Sequence, residues 1–127
     1  MAQDTIDPNV PGLDPTLAFK SNNPRIRTIT GNAYTAELSD INMLLRFTSA
    51  TASVLTLPAD DTDDFPRGSI INFQRAGAGA LTFAAAGGVT ISKPATTSAG
   101  SGGQHEFTGA MKTSANGWTL FGALAPV

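Results

Sequence analysis

Few residues in this chain are equipped for chemistry. The densest charge is the run Asp60-Asp61-Thr62-Asp63-Asp64. Carboxylates at that density suit a hard cation, because Ca²⁺ takes about six to eight oxygen ligands. The run departs from an EF-hand loop, with no Gly at the sixth position and no closing Glu. It reads as a solvated acidic loop with an Asp capping a short turn; contact with a basic neighbour lies between these two readings. His105-Glu106 contains the only His. Acid–base catalysis needs a second group in reach, and sequence neighbours on a strand point to opposite faces, so His105 reads as a surface or interface residue. Ala76-Gly77-Ala78-Gly79 lacks the Gly-Lys-Ser/Thr ending and following helix of a phosphate loop, and reads as tight hairpin turns. Neither a Gly-x-Ser-x-Gly elbow nor a His-Glu-x-x-His zinc motif is present. The expectation is a protein that is not an enzyme and uses no metal or cofactor.

Residues suited to contact are more numerous. Between Pro8, Pro11, Pro15 and Pro24 sit Ile6, Val10, Leu13, Leu17 and Phe19. Proline breaks helices, removes ladder donors and pushes its preceding residue towards extended backbone. Residues 1–25 therefore read as an extended N-terminal arm whose apolar side chains need a groove. Lys20, Arg25 and Arg27 cluster where this arm joins the rest, either to pair with a partner's carboxylates or simply solvated. Trp118 is the largest apolar group and reads as core; the alternative gives Trp118 or Tyr34 the role of an exposed platform for a glycan ring.

The elements that must position these residues are short strands. Arg25 to Thr30 alternates, and Met43, Leu45 and Phe47 share one face. Ser53 to Leu57 alternates weakly; Ile71 pairs with Phe73 and Leu81 with Phe83; Val89 and Ile91 make a short run. Glu106 to Thr108, Ala110 to Ser114 and Trp118 to Phe121 complete the set. Side chains alternate faces along a strand, so each run supplies one buried face. Turn signals fall between them at Arg67-Gly68, Ala76 to Gly79, Gly87-Gly88, Gly100 to Gly103 and Asn116-Gly117, the last a strong hairpin signal. A short helical turn is expected after Glu37 or around Asp60 to Asp64. The pattern predicts one all-β domain over 26–127, a β-sandwich or barrel-like, jelly-roll-type fold.

Composition narrows the partners. In 127 residues, eight Lys+Arg face ten Asp+Glu, a net charge of −2. No basic excess is available to neutralise a phosphate backbone, so nucleic acid is not an expected partner. Without Cys, there are no disulfides and no thiolate sites. The first residues lack the charged and apolar regions of a secretory signal. No apolar run approaches the roughly 20 residues that span a bilayer. A protein kept in solution in a cytoplasm, with no membrane partner, is expected. Aromatics are 7% of the chain and Gly contributes 13 residues; so little large apolar content favours further burial by oligomerisation.

Residues from about Tyr34 to Leu124 resemble a β-domain of tailed-bacteriophage virion proteins. The resemblance rests on Ala33-Tyr34-Thr35, Val54-Leu55-Thr56-Leu57-Pro58, Pro66 to Phe73, Ala76 to Phe83, Gly88-Val89-Thr90-Ile91 and Asn116 to Gly122. It implies a sandwich or barrel module, commonly trimeric, on the outside of the particle, as in capsid decoration (cement) proteins or tail fibres and spikes. Taken as a whole protein, the chain lacks the repeats and coiled coils that give fibres their length. The expectation is a cement protein, assembled in the host cytoplasm, that binds the major capsid protein as a homotrimer. Ile6, Val10, Leu13, Leu17 and Phe19 would be its anchors, oriented by Lys20, Arg25 and Arg27. A tail fibre, spike or glycan-binding module is the alternative.

Overall fold

A computed structural model describes residues 25–127. Residues 1–24 lie outside that description, and with them the arm anchors Ile6, Val10, Leu13, Leu17, Phe19 and the cation Lys20. The strands are β1 Arg25–Ile29, β2 Ala33–Thr35, β3 Met43–Phe47, β4 Ser53–Leu57, β5 Ile70–Arg75 and β6 Leu81–Ala85. They continue with β7 Thr90–Ser92, β8 Thr97–Ser101, β9 Phe107–Ser114, β10 Gly117–Gly122 and β11 Leu124–Pro126. A single 3₁₀ turn, Leu38–Asp40, follows Glu37 as the sequence leads one to expect.

Two mixed sheets face each other. One has six strands in the order β1-β3-β5-β9-β10-β7, the other five in the order β11-β8-β6-β4-β2. The inward residues follow the period-two pattern. Leu45, Phe47, Ile71, Phe73, Ala110, Trp118 and Leu120 from the first sheet meet Leu55, Leu57, Leu81 and Phe83 from the second. Phe73 and Phe83 join the layers with ring centroids 5.2 Å apart.

The all-β sandwich stands, but its connectivity is not that of an antiparallel jelly roll. From β1 to β9, successive strands alternate between the two sheets, so odd-numbered strands stack in one and even-numbered strands in the other. β1, β3 and β5 are mutually parallel, as are β2, β4 and β6. The chain thus winds around the core in coils, and antiparallel pairing starts only at β8 and β9. One connection, Ala115–Asn116 between β9 and β10, closes a tight hairpin, with Asn116 at φ 49°.

The glycine run at 76–79 is therefore an arch between sheets, not a hairpin turn. Residues 76–80 carry the chain from β5 to β6 and lie directly on the previous arch, residues 48–52. Ala76 and Gly77 N–H groups donate to Phe47 O at 2.8 and 2.9 Å, Gly79 N–H to Ser49 O at 3.1 Å, and Ser53 N–H to Ala80 O at 2.7 Å. Backbone sits on backbone here, and a Cβ on Gly77 or Gly79 would run into the carbonyls of Thr48, Ser49 or Thr51. Three other sequence expectations change. The runs at Glu106 to Thr108 and Ala110 to Ser114 are one strand, β9. Gly100 and Ser101 belong to strand β8 instead of a turn. β8 and β11 carry too few large apolar residues to announce themselves.

Because Gly77 is hemmed in by main chain, Gly77→Ala is expected to destabilise the fold by about 2 kcal/mol. Gly87→Ala, where a Cβ meets nothing within 4 Å, is expected to be neutral or to stabilise by about 0.5 kcal/mol. Urea midpoints of the two variants check this pair.

Candidate functional site

Asp60, the first residue of the acidic run, is paired with a cation of the protein itself, while Asp61 and Asp64 are exposed. β9 alternates Thr108, Ala110 and Lys112 towards the core, which leaves Lys112 only 2% exposed. A buried ammonium must be paired and hydrogen-bonded. Lys112 Nζ donates to Asp60 Oδ1 at 2.6 Å and to Phe65 O at 3.2 Å, with Asp64 Oδ1 at 3.7 Å. Asp60 Oδ2 accepts from the Asn116 N–H at 3.0 Å, and Asp60 N–H donates to Asn116 Oδ1 at 2.8 Å. The loop 58–69 is thus fastened to the β9–β10 hairpin, and Phe65 is driven edge-on into Trp118 at 4.9 Å. Among the described residues no group of three or more His, Asp or Glu side chains is gathered as a metal site requires.

Lys112, through its hydrogen bond, holds the Asp60 carboxyl below the usual carboxylate range; the Asn116 N–H and Arg67 add to this, and desolvation opposes it. A depressed folded value stabilises the native state above the unfolded pKa, near 3.9, and that stability is lost as pH falls through the folded value.

A second cluster closes the sandwich at its first coil, where β1 and β2 are the edge strands. Arg27 shares the inward face of β1 with the buried Ile29. Its Nε lies 3.2 Å from Asp40 Oδ1, an ion pair without hydrogen-bond alignment. Asp40 is fully buried. Its Oδ2 accepts from Tyr34 Oη at 2.8 Å and from the Glu37 N–H at 2.9 Å. Burial first, then the bond to Asp40, raises the Tyr34 hydroxyl above its ordinary value. Inward-pointing charge on an edge strand also discourages further strands from adding there.

These contacts bear on three sequence readings, and the burial of Trp118 agrees with its reading as core. Arg27 is committed to Asp40 inside the domain, so it is not a free cation for a partner; Arg25 remains exposed. Trp118 is 1% exposed, which rules out stacking on a sugar. Tyr34 is half-buried, its hydroxyl given to Asp40 and its ring edge-on to Phe47 at 6.4 Å, so it offers no open platform either. His105 is exposed, at φ 71°, beside Gln74, whose Nε2 donates to His105 O at 3.4 Å.

What the sequence reading missed is the outward face of the six-stranded sheet. Ile26, Leu44, Ile70, Phe107, Met111 and Phe121 all point away from the core. Register sets Ile26 beside Leu44, Leu44 beside Asn72, Asn72 beside Gly109 and Gly109 beside Phe121. Ile26 is 62% exposed, Phe107 56% and Phe121 38%. The Phe121 ring lies over Gly109, where a Cβ would strike it. The outward face of the other sheet instead carries Ala33, Thr35, Val54, Thr56, Thr82 and Ala84, small or hydroxylated except for Val54. A period-two reading of β9 and β10 contains this signal, since the residues alternating with the core set at Ala110, Trp118 and Leu120 are Phe107, Met111 and Phe121. No helix in the described residues is long and apolar enough to cross a membrane.

Compared with protein-family models, curated proteins and solved structures, the chain matches none.

Two variants separate the roles in the Lys112 cluster. Asp60→Asn strands a buried ammonium, whereas Lys112→Met leaves a carboxylate that reaches water, so Asp60→Asn is expected to lower the urea midpoint more. Acid titration should show the wild type losing stability below about pH 4, with a shallower loss in Asp60→Asn; equal slopes would contradict the assignment. For the other cluster, Tyr34→Phe removes a hydrogen bond to a buried carboxylate and is expected to cost about 1.5 kcal/mol. Because the Tyr34 pKa is raised on folding, its contribution is complete below about pH 10 and lost above it, so wild type should lose stability in alkali more steeply than Tyr34→Phe.

Proposed function

We propose that this protein is a virion structural protein, a capsid decoration (cement) protein that binds the outer capsid surface as a homotrimer and links neighbouring subunits of the major capsid protein. The observation that carries this reading is the chemistry of contact. A two-sheet body exposes Phe107, Phe121 and Ile26 on the outward face of one sheet, and a stretch with five spaced apolar residues, Ile6 to Phe19, precedes β1. Both features act by burial. A stable protein–protein contact removes about 800 Å² per partner, and three linked copies multiply its effect without new chemistry. The resemblance to tailed-phage virion β-domains supports the same setting.

The anchors in this reading are Ile6, Val10, Leu13, Leu17 and Phe19, with Lys20 and Arg25 steering. Arg27 acts through the fold, by holding Asp40. Sedimentation of the full chain with undecorated heads or with isolated tails tests the reading. The protein is expected to travel with heads, to have a trimer's mass when free, and to lose at least tenfold in head affinity on Leu17→Ser with Phe19→Ser. Binding to tails alone, or a monomer that joins neither, would contradict it.

A further inference from the structure

The hairpin between β9 and β10 carries the chain's only Asn-Gly pair, Asn116-Gly117, where the fold grips Asn116 from several sides. We propose that Asn116 is a modification site, a latent deamidation site shut by its clasp to Asp60, and that its modification unfastens loop 58–69. The inference rests on the described residues alone; it goes beyond the capsid reading and does not depend on it.

The chemistry is intrinsic to the pair. Once a solvent base takes its proton, the Gly117 nitrogen attacks Asn116 Cγ. The new N–Cγ bond forms, the Cγ–Nδ2 bond breaks, and ammonia leaves with a proton returned by solvent. Water then opens the five-membered succinimide at either carbonyl. Cleaving the new N–Cγ bond gives aspartate; cleaving the original peptide bond gives isoaspartate. The balance is water in and ammonia out, with no oxidant or reductant. Gly117 has no Cβ to hinder the attack, and the neighbouring Ala115 is exposed, so water reaches the turn.

The native geometry blocks the first step. Ring closure needs Cβ and the Gly117 nitrogen on the same side of the Asn116 Cα–C bond. At φ 49° Asn116 has left-handed turn backbone, whose ψ of roughly +30° to +60° sets that nitrogen on the side away from Cβ. Turning ψ would pull Asn116 O from the Thr90 N–H, which donates to it at 2.8 Å. Swinging the side chain would pull Oδ1 from the Asp60 N–H at 2.8 Å, while the Asn116 N–H donates to Asp60 Oδ2 at 3.0 Å. Asp60 is held in turn by Lys112 Nζ at 2.6 Å. The site therefore reacts from an opened hairpin end, and the free energy of that local opening sets the rate.

After reaction the clasp cannot close as before. Either product puts a second carboxylate beside Asp60, and like charges there disfavour each other. The isoaspartyl product also lengthens the main chain by one carbon where Thr90 and Asp60 grip it.

In the full chain at mildly alkaline pH, peptide mapping reads the change of amide to acid at residue 116, and enzymatic methyl labelling reads isoaspartate. The native protein is expected to deamidate at Asn116 at least about tenfold more slowly than the same chain unfolded in urea. Asp60→Ala with Lys112→Met removes the clasp without stranding a buried ammonium. Compared at urea concentrations that give the same folded fraction, this variant is expected to react about tenfold faster than wild type. Tyr34→Phe, in the other cluster, is expected to keep the wild-type rate. Deamidated wild type, separated by its added negative charge, should have a lower urea midpoint. Equal rates in native and unfolded chain, equal rates in the two variants, or an unchanged midpoint after deamidation would each overturn the proposal.

Discussion

The structure depends on main chain stacked directly upon main chain at the arches between its two sheets. Gly77 and Gly79 lie on residues 48–51 with no side chain between them, and the hydrogen bonds from Ala76, Gly77 and Gly79 to Phe47 and Ser49 fix one arch on the next. Once that contact is set, β5 must run parallel to β3 and β6 parallel to β4. Register follows, and because side chains alternate with period two, register decides which face each residue occupies. A slip of one residue would turn Leu45, Ile71 and Phe73 outward and bring Arg46 and Asn72 into the core. The outward placing of Ile26, Phe107 and Phe121 is therefore a consequence of the arches as much as the core is.

Winding leaves two places that apolar packing does not seal, and each is closed by a buried charge with its partner. At the first coil Arg27 and Asp40 stand where a further strand pair would otherwise continue the core, with Tyr34 completing the shell of Asp40. At the hairpin end Lys112 draws Asp60 down and carries Phe65 onto Trp118. Such pairs add little net stability compared with apolar replacements, yet losing one partner is costly. Their effect is to fix where loops 36–42 and 58–69 lie. Three of the residues most suggestive of chemistry in the sequence, Asp60, Arg27 and Tyr34, are engaged in this internal work.

Much of the strand pattern was legible. Met43, Leu45 and Phe47, then Ile71 and Phe73, then Leu81 and Phe83 declare their inward faces by alternation, and Asn116 marks the hairpin. The path between strands was not legible, because a glycine-rich stretch serves a hairpin and an arch equally well, and only the partner strand distinguishes them. The coils are also unequal: Arg25 lies opposite Met43, but Leu44 lies opposite Asn72, so no repeat appears in the sequence. Lys112 and Asp40 look like surface residues until their strand and turn are placed. Phe107 and Phe121 were visible as strand residues, while their exposure follows only from the positions of Ala110 and Leu120.

A domain built this way turns a sheet face with Ile26, Phe107 and Phe121 exposed to its surroundings. The parallel, arch-stacked register is the foundation of that account. Inter-strand proton contacts measured by NMR on the full chain test it most directly. The account predicts contacts of parallel type joining Leu45 to Arg27 and to Phe73, and Leu55 to Tyr34 and to Phe83. Antiparallel contacts joining Met43–Phe47 to Ser53–Leu57, as a hairpin would give, would contradict it.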